Sequence, residues 1–145
     1  MILKLSAGFV VLLIAAVLQF FFASAEILLN FSFAALITFA FVFGFWELLV
    51  LVIFTVFIAN WQPGPSVEIF ILAAFPLTVY FCRNLLRWKT WLENFLAIAL
   101  GYLLLYCGAA PARILHEWPS LFANIAAGIL FSALVFFPLY RWGKE

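Results

Sequence analysis

Polar residues in this chain punctuate long apolar runs. Six such runs, at residues 5–23, 27–43, 45–59, 67–82, 95–109 and 121–140, are separated by short segments that hold nearly all the charge. A bilayer core about 30 Å thick needs roughly 17–25 helical residues to cross it. The runs therefore predict transmembrane helices. The fold class expected is an all-α integral membrane protein: one transmembrane domain over residues 1–145, with spans at about 5–23, 27–43, 45–60, 67–82, 95–110 and 120–140.

The stretch 27–60 decides the span count. A single helix of these 34 residues would be about 50 Å long, too long for one crossing. Two short spans fit if the chain turns at Gly44, ahead of Phe45, Trp46 and Glu47. Basic residues give an independent test, because they concentrate in cytoplasmic loops. With six spans and the N-terminus inside, Lys4, Arg83, Arg87, Lys89, Arg141 and Lys144 are cytoplasmic and Arg113 alone is outside. With five spans only Lys4 and Arg113 remain inside. The charge pattern selects a six-helix bundle with both termini in the cytoplasm (N-in/C-in).

Composition agrees. Residues are 70% hydrophobic and 9% charged, with no aspartate, whereas soluble domains carry roughly 25% charged residues. No basic block exists to hold a nucleic acid, so no nucleic-acid partner is expected and the bilayer is the natural surrounding. Residues 1–25 imitate a signal peptide, with Lys4, an apolar run and Ala23-Ser24-Ala25, but the run is long enough to span and is expected to be a retained helix. Asn60-Trp61-Gln62-Pro63-Gly64-Pro65-Ser66 reads as an external turn. Pro111 and Pro119 bracket a segment expected to form one or two helical turns on the outer surface.

Candidate chemistry is sparse. Residues 83–94 form the main cytoplasmic segment, in which Trp88, Trp91 and Phe95 share one helical face beside Arg87 and Lys89. A short basic, aromatic interfacial helix is expected there, with Arg83, Arg87, Trp88, Lys89 and Trp91 contacting anionic lipid or a cytoplasmic partner. Gln19, Asn30, Asn60 and Asn124 map toward the outer half, where they either bond between helices or converge on a small polar pocket. Glu47 is the candidate partly buried acid, with Arg83, Arg87 or Lys89 as possible ion partners. Glu26, Glu68 and Glu93 fall at expected helix ends, within reach of water. No nucleophile–base pair, phosphate loop or ligand spacing appears, and His116 and Glu117 diverge by about 100° on a helix. No catalytic residue, cofactor or metal is expected. Cys82 and Cys107 are expected on opposite sides as packed thiols. Small residues at Ala123, Ala127, Gly128 and Ser132, and at Ala97 and Gly101, predict close helix contact and a possible homodimer face.

The order of features resembles the bacterial rod-shape-determining membrane protein family MreD over roughly residues 1–105. The features are Ala16-Val17-Leu18-Gln19, then Ile27-Leu28-Leu29-Asn30, the turn at Gly44-Phe45-Trp46-Glu47, and Ala59-Asn60-Trp61-Gln62-Pro63-Gly64. Members of that family often carry an acid near the end of the third span, where this chain has Asn60. The resemblance implies a non-enzymatic scaffold in the bacterial cytoplasmic membrane, among other membrane proteins of a cell-elongation and peptidoglycan-synthesis complex. The architecture is also similar to small six-helix vitamin-binding transporter subunits. The alternative expectation is therefore a small-molecule substrate-binding or transport subunit.

Overall fold

A computed structural model describes residues 2–23, 30–59, 66–85, 89–109 and 111–142. Among them are seven helices: α1 (Ile2–Ala23), α2 (Phe31–Val42), α3 (Phe45–Ala59), α4 (Val67–Cys82), α5 (Thr90–Ala109), α6 (Pro111–His116) and α7 (Trp118–Trp142). Three of them, α1, α5 and α7, are long and apolar enough to cross a membrane, while α2, α3 and α4 are shorter apolar helices. The outer surface has the character of a membrane protein: Phe20 is 80% exposed and Leu134 76%. Water would not tolerate an apolar surface of this extent.

The bundle is built around α2. This 12-residue helix packs against α1, α3, α4, α5 and α7, and the outer helices follow one another as α1–α3, α3–α4, α4–α5 and α5–α7. Every residue from Phe33 to Ala40 is buried. An all-round apolar helix is at home only in such a sheathed position. Glycines on the long helices make close approaches, at Gly8, Gly101, Gly108 and Gly128. A Cβ on Gly101 would come within 2.9 Å of Phe33 and Ile37 on α2 and 2.8 Å of Phe75 on α4. A Cβ on Gly128 would lie 2.6 Å from the Tyr102 ring. Ser132 is buried too. Gly101, Gly128 and Ser132 of the expected small-residue stripes thus serve contacts within the chain, while Ala123 is exposed.

Local chemistry sets the helix boundaries. α2 starts four residues later than the apolar run because the Asn30 side chain accepts the Phe33 N–H at 3.1 Å, capping the helix. At 1.5 Å per residue α2 is only about 18 Å long, shorter than a bilayer core. The break before α3 falls at Phe43-Gly44, but its mechanism differs from expectation. Phe43 takes the extended conformation, φ −99° and ψ 163°, and Gly44 has no left-handed φ. Gly44 instead serves as the N-cap of α3. Its carbonyl accepts from Leu48 N–H at 3.0 Å, and its N–H donates to Glu47 Oε2 at 3.1 Å. This is the reciprocal half of a capping box. Ser66 caps α4 through the Ile69 N–H at 3.4 Å.

Candidate functional site

The ends of α2, α4 and α7 and the starts of α3 and α5 meet at one end of the bundle. They enclose a cleft of about 430 Å³ whose lining includes Phe41, Arg83, Asn84, Thr90, Glu93 and Tyr140. Arg83 follows the last residue of α4 and turns across to α2. Its Nη1 donates to Ala40 O at 2.8 Å and Phe43 O at 3.2 Å, and its guanidinium lies 4.1 Å from the centre of the Tyr80 ring. The last carbonyls of α2 have no partner within their own helix, and a cation beside them also complements the helix dipole. The half-buried Arg83 is therefore a C-terminal cap supplied by a neighbouring helix.

Glu93 corrects the sequence reading. Expected in water at a helix end, it is only 6% exposed, and it holds an interaction within the structure. The reason is that α5 begins at Thr90, five residues ahead of the apolar run. Glu93 thus sits inside the first turn, facing the cleft. No separate interfacial helix forms over the described part of 83–94. Trp91 and Phe95 belong to α5, where their rings meet edge-on at 5.8 Å. Lys89 and Trp91 are exposed, whereas Arg87 and Trp88 lie outside the described residues.

Beneath the cleft runs a buried polar chain that the sequence did not signal. Asn94 Nδ2 donates to Ser132 Oγ at 2.7 Å, and Ser132 Oγ lies 2.8 Å from Thr38 Oγ1. Thr38 gives its one hydroxyl hydrogen to Ala34 O at 2.9 Å, so Ser132 must be the donor between the two hydroxyls. The chain is directed from α5 through α7 to α2, and all three side chains are fully buried. Asn94 Oδ1 has no partner. Asn94 was legible on one condition: with α5 begun at Thr90, residues 94, 98, 101 and 102 fall on one helical face, and all are buried.

The polar residues expected near the other end bond to different partners. Gln19 Oε1 accepts from Ser32 Oγ at 3.4 Å. Asn30 caps α2, and its carbonyl accepts from the Tyr102 hydroxyl at 2.7 Å. Asn124 is fully buried and donates through Nδ2 to the Tyr106 hydroxyl. Asn60 lies outside the described residues. Each described member is thus held by a different neighbour. Glu47 is half-buried, but its bond is to Gly44 N–H, and Arg83 bonds to α2 carbonyls, so the expected Glu47–Arg83 pair is not formed. Cys82 and Cys107 are both exposed, free thiols and not packed ones.

These groups can bind and position; among the described residues no set of three metal-ligating side chains gathers. In comparisons with known proteins, no family model, curated protein or solved structure matches the chain.

Proposed function

We propose that the chain is a non-enzymatic integral membrane scaffold with six spans and both termini in the cytoplasm. One observation carries the reading: the polar side chains of the bundle interior tie helices to one another. The Asn94–Ser132–Thr38 chain joins three helices, and Gln19, Asn30 and Asn124 each bond to a separate partner. A ligand pocket built on Gln19, Asn30 and Asn124 would need them turned to one shared cavity, whereas each bonds a different group of the bundle. The six-span topology is supported by the alternating helix directions that bring Phe43, Arg83, Thr90 and Tyr140 to one end, beside which Lys89 and Arg141 lie next to Thr90 and Tyr140 in the chain.

Taken with the MreD resemblance, the reading places the scaffold in the bacterial cytoplasmic membrane, organising cell-elongation and peptidoglycan-synthesis proteins. Depletion of the protein, followed by microscopy of cell shape and of the sites of wall synthesis, tests it. Loss of elongated shape with dispersed synthesis is expected. Unchanged shape and localisation, or copurification of a transport ATPase in place of wall-synthesis proteins, would overturn it.

A further inference from the structure

The helices that meet the surroundings differ in length, and the two shortest of them lie together. α3 has 15 residues and α4 has 16, which at 1.5 Å per residue makes them about 22 and 24 Å long. α7 has 25 residues and is about 37 Å long. A bilayer core is about 30 Å thick. Neither short helix has apolar sequence in reserve: Asn60 follows α3, and Ser66 and Arg83 flank α4. Glu68, in the first turn of α4, is exposed, so the apolar face of that helix is shorter still. Length matters only where lipid is met. α2 is sheathed, but α3 and α4 pack side by side against it and turn Ile53, Phe57 and Phe70 outward. α7 is exposed along its whole length, from Trp118 through Leu130 and Leu134 to Trp142.

We propose that the α3–α4 face gathers a thin annulus of lipid, with acyl chains shorter than those that suit α7. The inference rests on the six-span reading, in which α3 and α4 both cross the membrane. The shortfall on this flank is about 6–8 Å. A helix shorter than the hydrocarbon around it is accommodated by local thinning of the bilayer, by flanking polar side chains that reach outward, or by oligomerisation. The side chains at these ends do not reach outward. Glu47 is held by the Gly44 N–H at 3.1 Å, and Arg83 turns in to the α2 carbonyls at 2.8 and 3.2 Å. Close association of helices in lipid uses small residues, whereas this face presents Trp46, Val50, Ile53, Phe57, Phe70 and Phe81. Thinning is the response left. Exposed tryptophans mark headgroup level, at Trp46 on the short flank and at Trp118 and Trp142 on the long one. The bilayer is thus thinner along α3 and α4 than along α7.

The test reads which lipid touches each flank. Ile53→Cys, midway along α3, and Leu130→Cys, midway along α7, are each placed in a full chain carrying Cys82→Ala and Cys107→Ala and are labelled with a thiol-linked fluorophore. The protein is reconstituted in mixtures of dimyristoleoyl, dioleoyl and dierucoyl phosphatidylcholine, one of them brominated as quencher in each sample. The Ile53 site is expected to favour the dimyristoleoyl over the dierucoyl lipid by about threefold, and the Leu130 site to show no preference for the shorter lipid. Phe70→Cys on α4 and Leu134→Cys on α7, both exposed, carry the comparison if either first variant fails to fold. The same order of preference on both flanks refutes the proposal. So does an Ile53 site that no lipid quenches, which would put a second copy of the chain on that face. Lipids with a nitroxide at a shallow or a deep chain position separate this from failure of the six-span reading. Stronger quenching at Ile53 from the shallow position would mean that α3 does not cross and would overturn both; deep quenching without a chain-length preference overturns the thin annulus alone.

Discussion

Replacing Gly128 by alanine tests how α5 and α7 are held together. The new Cβ would lie 2.6 Å from Tyr102 Cε2 and 3.1 Å from both Cζ and the hydroxyl oxygen. A flexible side chain would swing away, but this ring is pinned. It is 1% exposed, its hydroxyl donates to Asn30 O at 2.7 Å, and its edge meets Phe33 at 5.9 Å between centroids. Overpacking of this kind costs about 1–3 kcal/mol. Alanine returns roughly 0.5–1 kcal/mol through its better helix propensity, so the net destabilisation expected is about 0.5–2 kcal/mol. The assay is reversible unfolding in mixed micelles, titrating dodecyl sulfate against a mild detergent and following helix content. The decisive measurement is a double-mutant cycle with Tyr102→Leu, which removes the ring. In that background Gly128→Ala should become neutral or stabilising, giving a coupling of about 1–3 kcal/mol. Additive effects within about 0.5 kcal/mol would mean that the Tyr102 ring does not limit the approach of the two helices.

Ser132→Ala breaks the only side-chain chain described that joins three helices, and should cost about 1–2 kcal/mol. Thr78→Val, whose hydroxyl bonds only its own helix at Ala74 O, should cost less than half as much in the same unfolding assay. Arg83→Gln uncaps α2 and is expected to lower stability by about 1–2 kcal/mol, with faster amide exchange at Phe43, whose N–H closes the last turn of α2 on Phe39 O at 2.8 Å. The topology is read with the native thiols. Single-cysteine variants keeping Cys82 or Cys107 should react with an impermeant maleimide from opposite sides, Cys107 from outside and Cys82 only after permeabilisation; labelling of both from one side contradicts six spans.

The apolar pattern carried the element order well because helix ends are fixed by short-range chemistry. The turn before Phe45 and the proline-bracketed α6 follow from residues within a few positions of each break. Asn30 and Ser66 are cap residues directly before the helices they start, a readable signal. At Asn30 it was outweighed by the apolar Ile27-Leu28-Leu29, which extended the expected span. Gly44 shows a right position with a different cause, since the turn uses an extended Phe43 and the Glu47 carboxylate.

Glu93 and Asn94 mark where local reasoning stops. Hydropathy assigns a charge and an amide side by side to a loop, because it scores each residue as though lipid or water were its only possible surroundings. In the bundle Asn94 finds Ser132 from a helix 38 positions away in sequence, and that partner changes the balance. An amide in hydrocarbon without a partner costs several kcal/mol, whereas one bonded to a neighbouring helix adds about 1 kcal/mol or less of association. The same argument separates the two halves of the polar inventory. Side chains with partners in the bundle hold the helices together, and of the buried amides only the Oδ1 atoms of Asn94 and Asn124 stay without a partner among the described residues. Side chains beside the cleft keep open donor edges, as Arg83 does at Nε and Nη2. Bonding capacity left unfilled is thus found both at a helix end, on the Arg83 guanidinium, and inside the bundle, at Asn94 Oδ1 and Asn124 Oδ1.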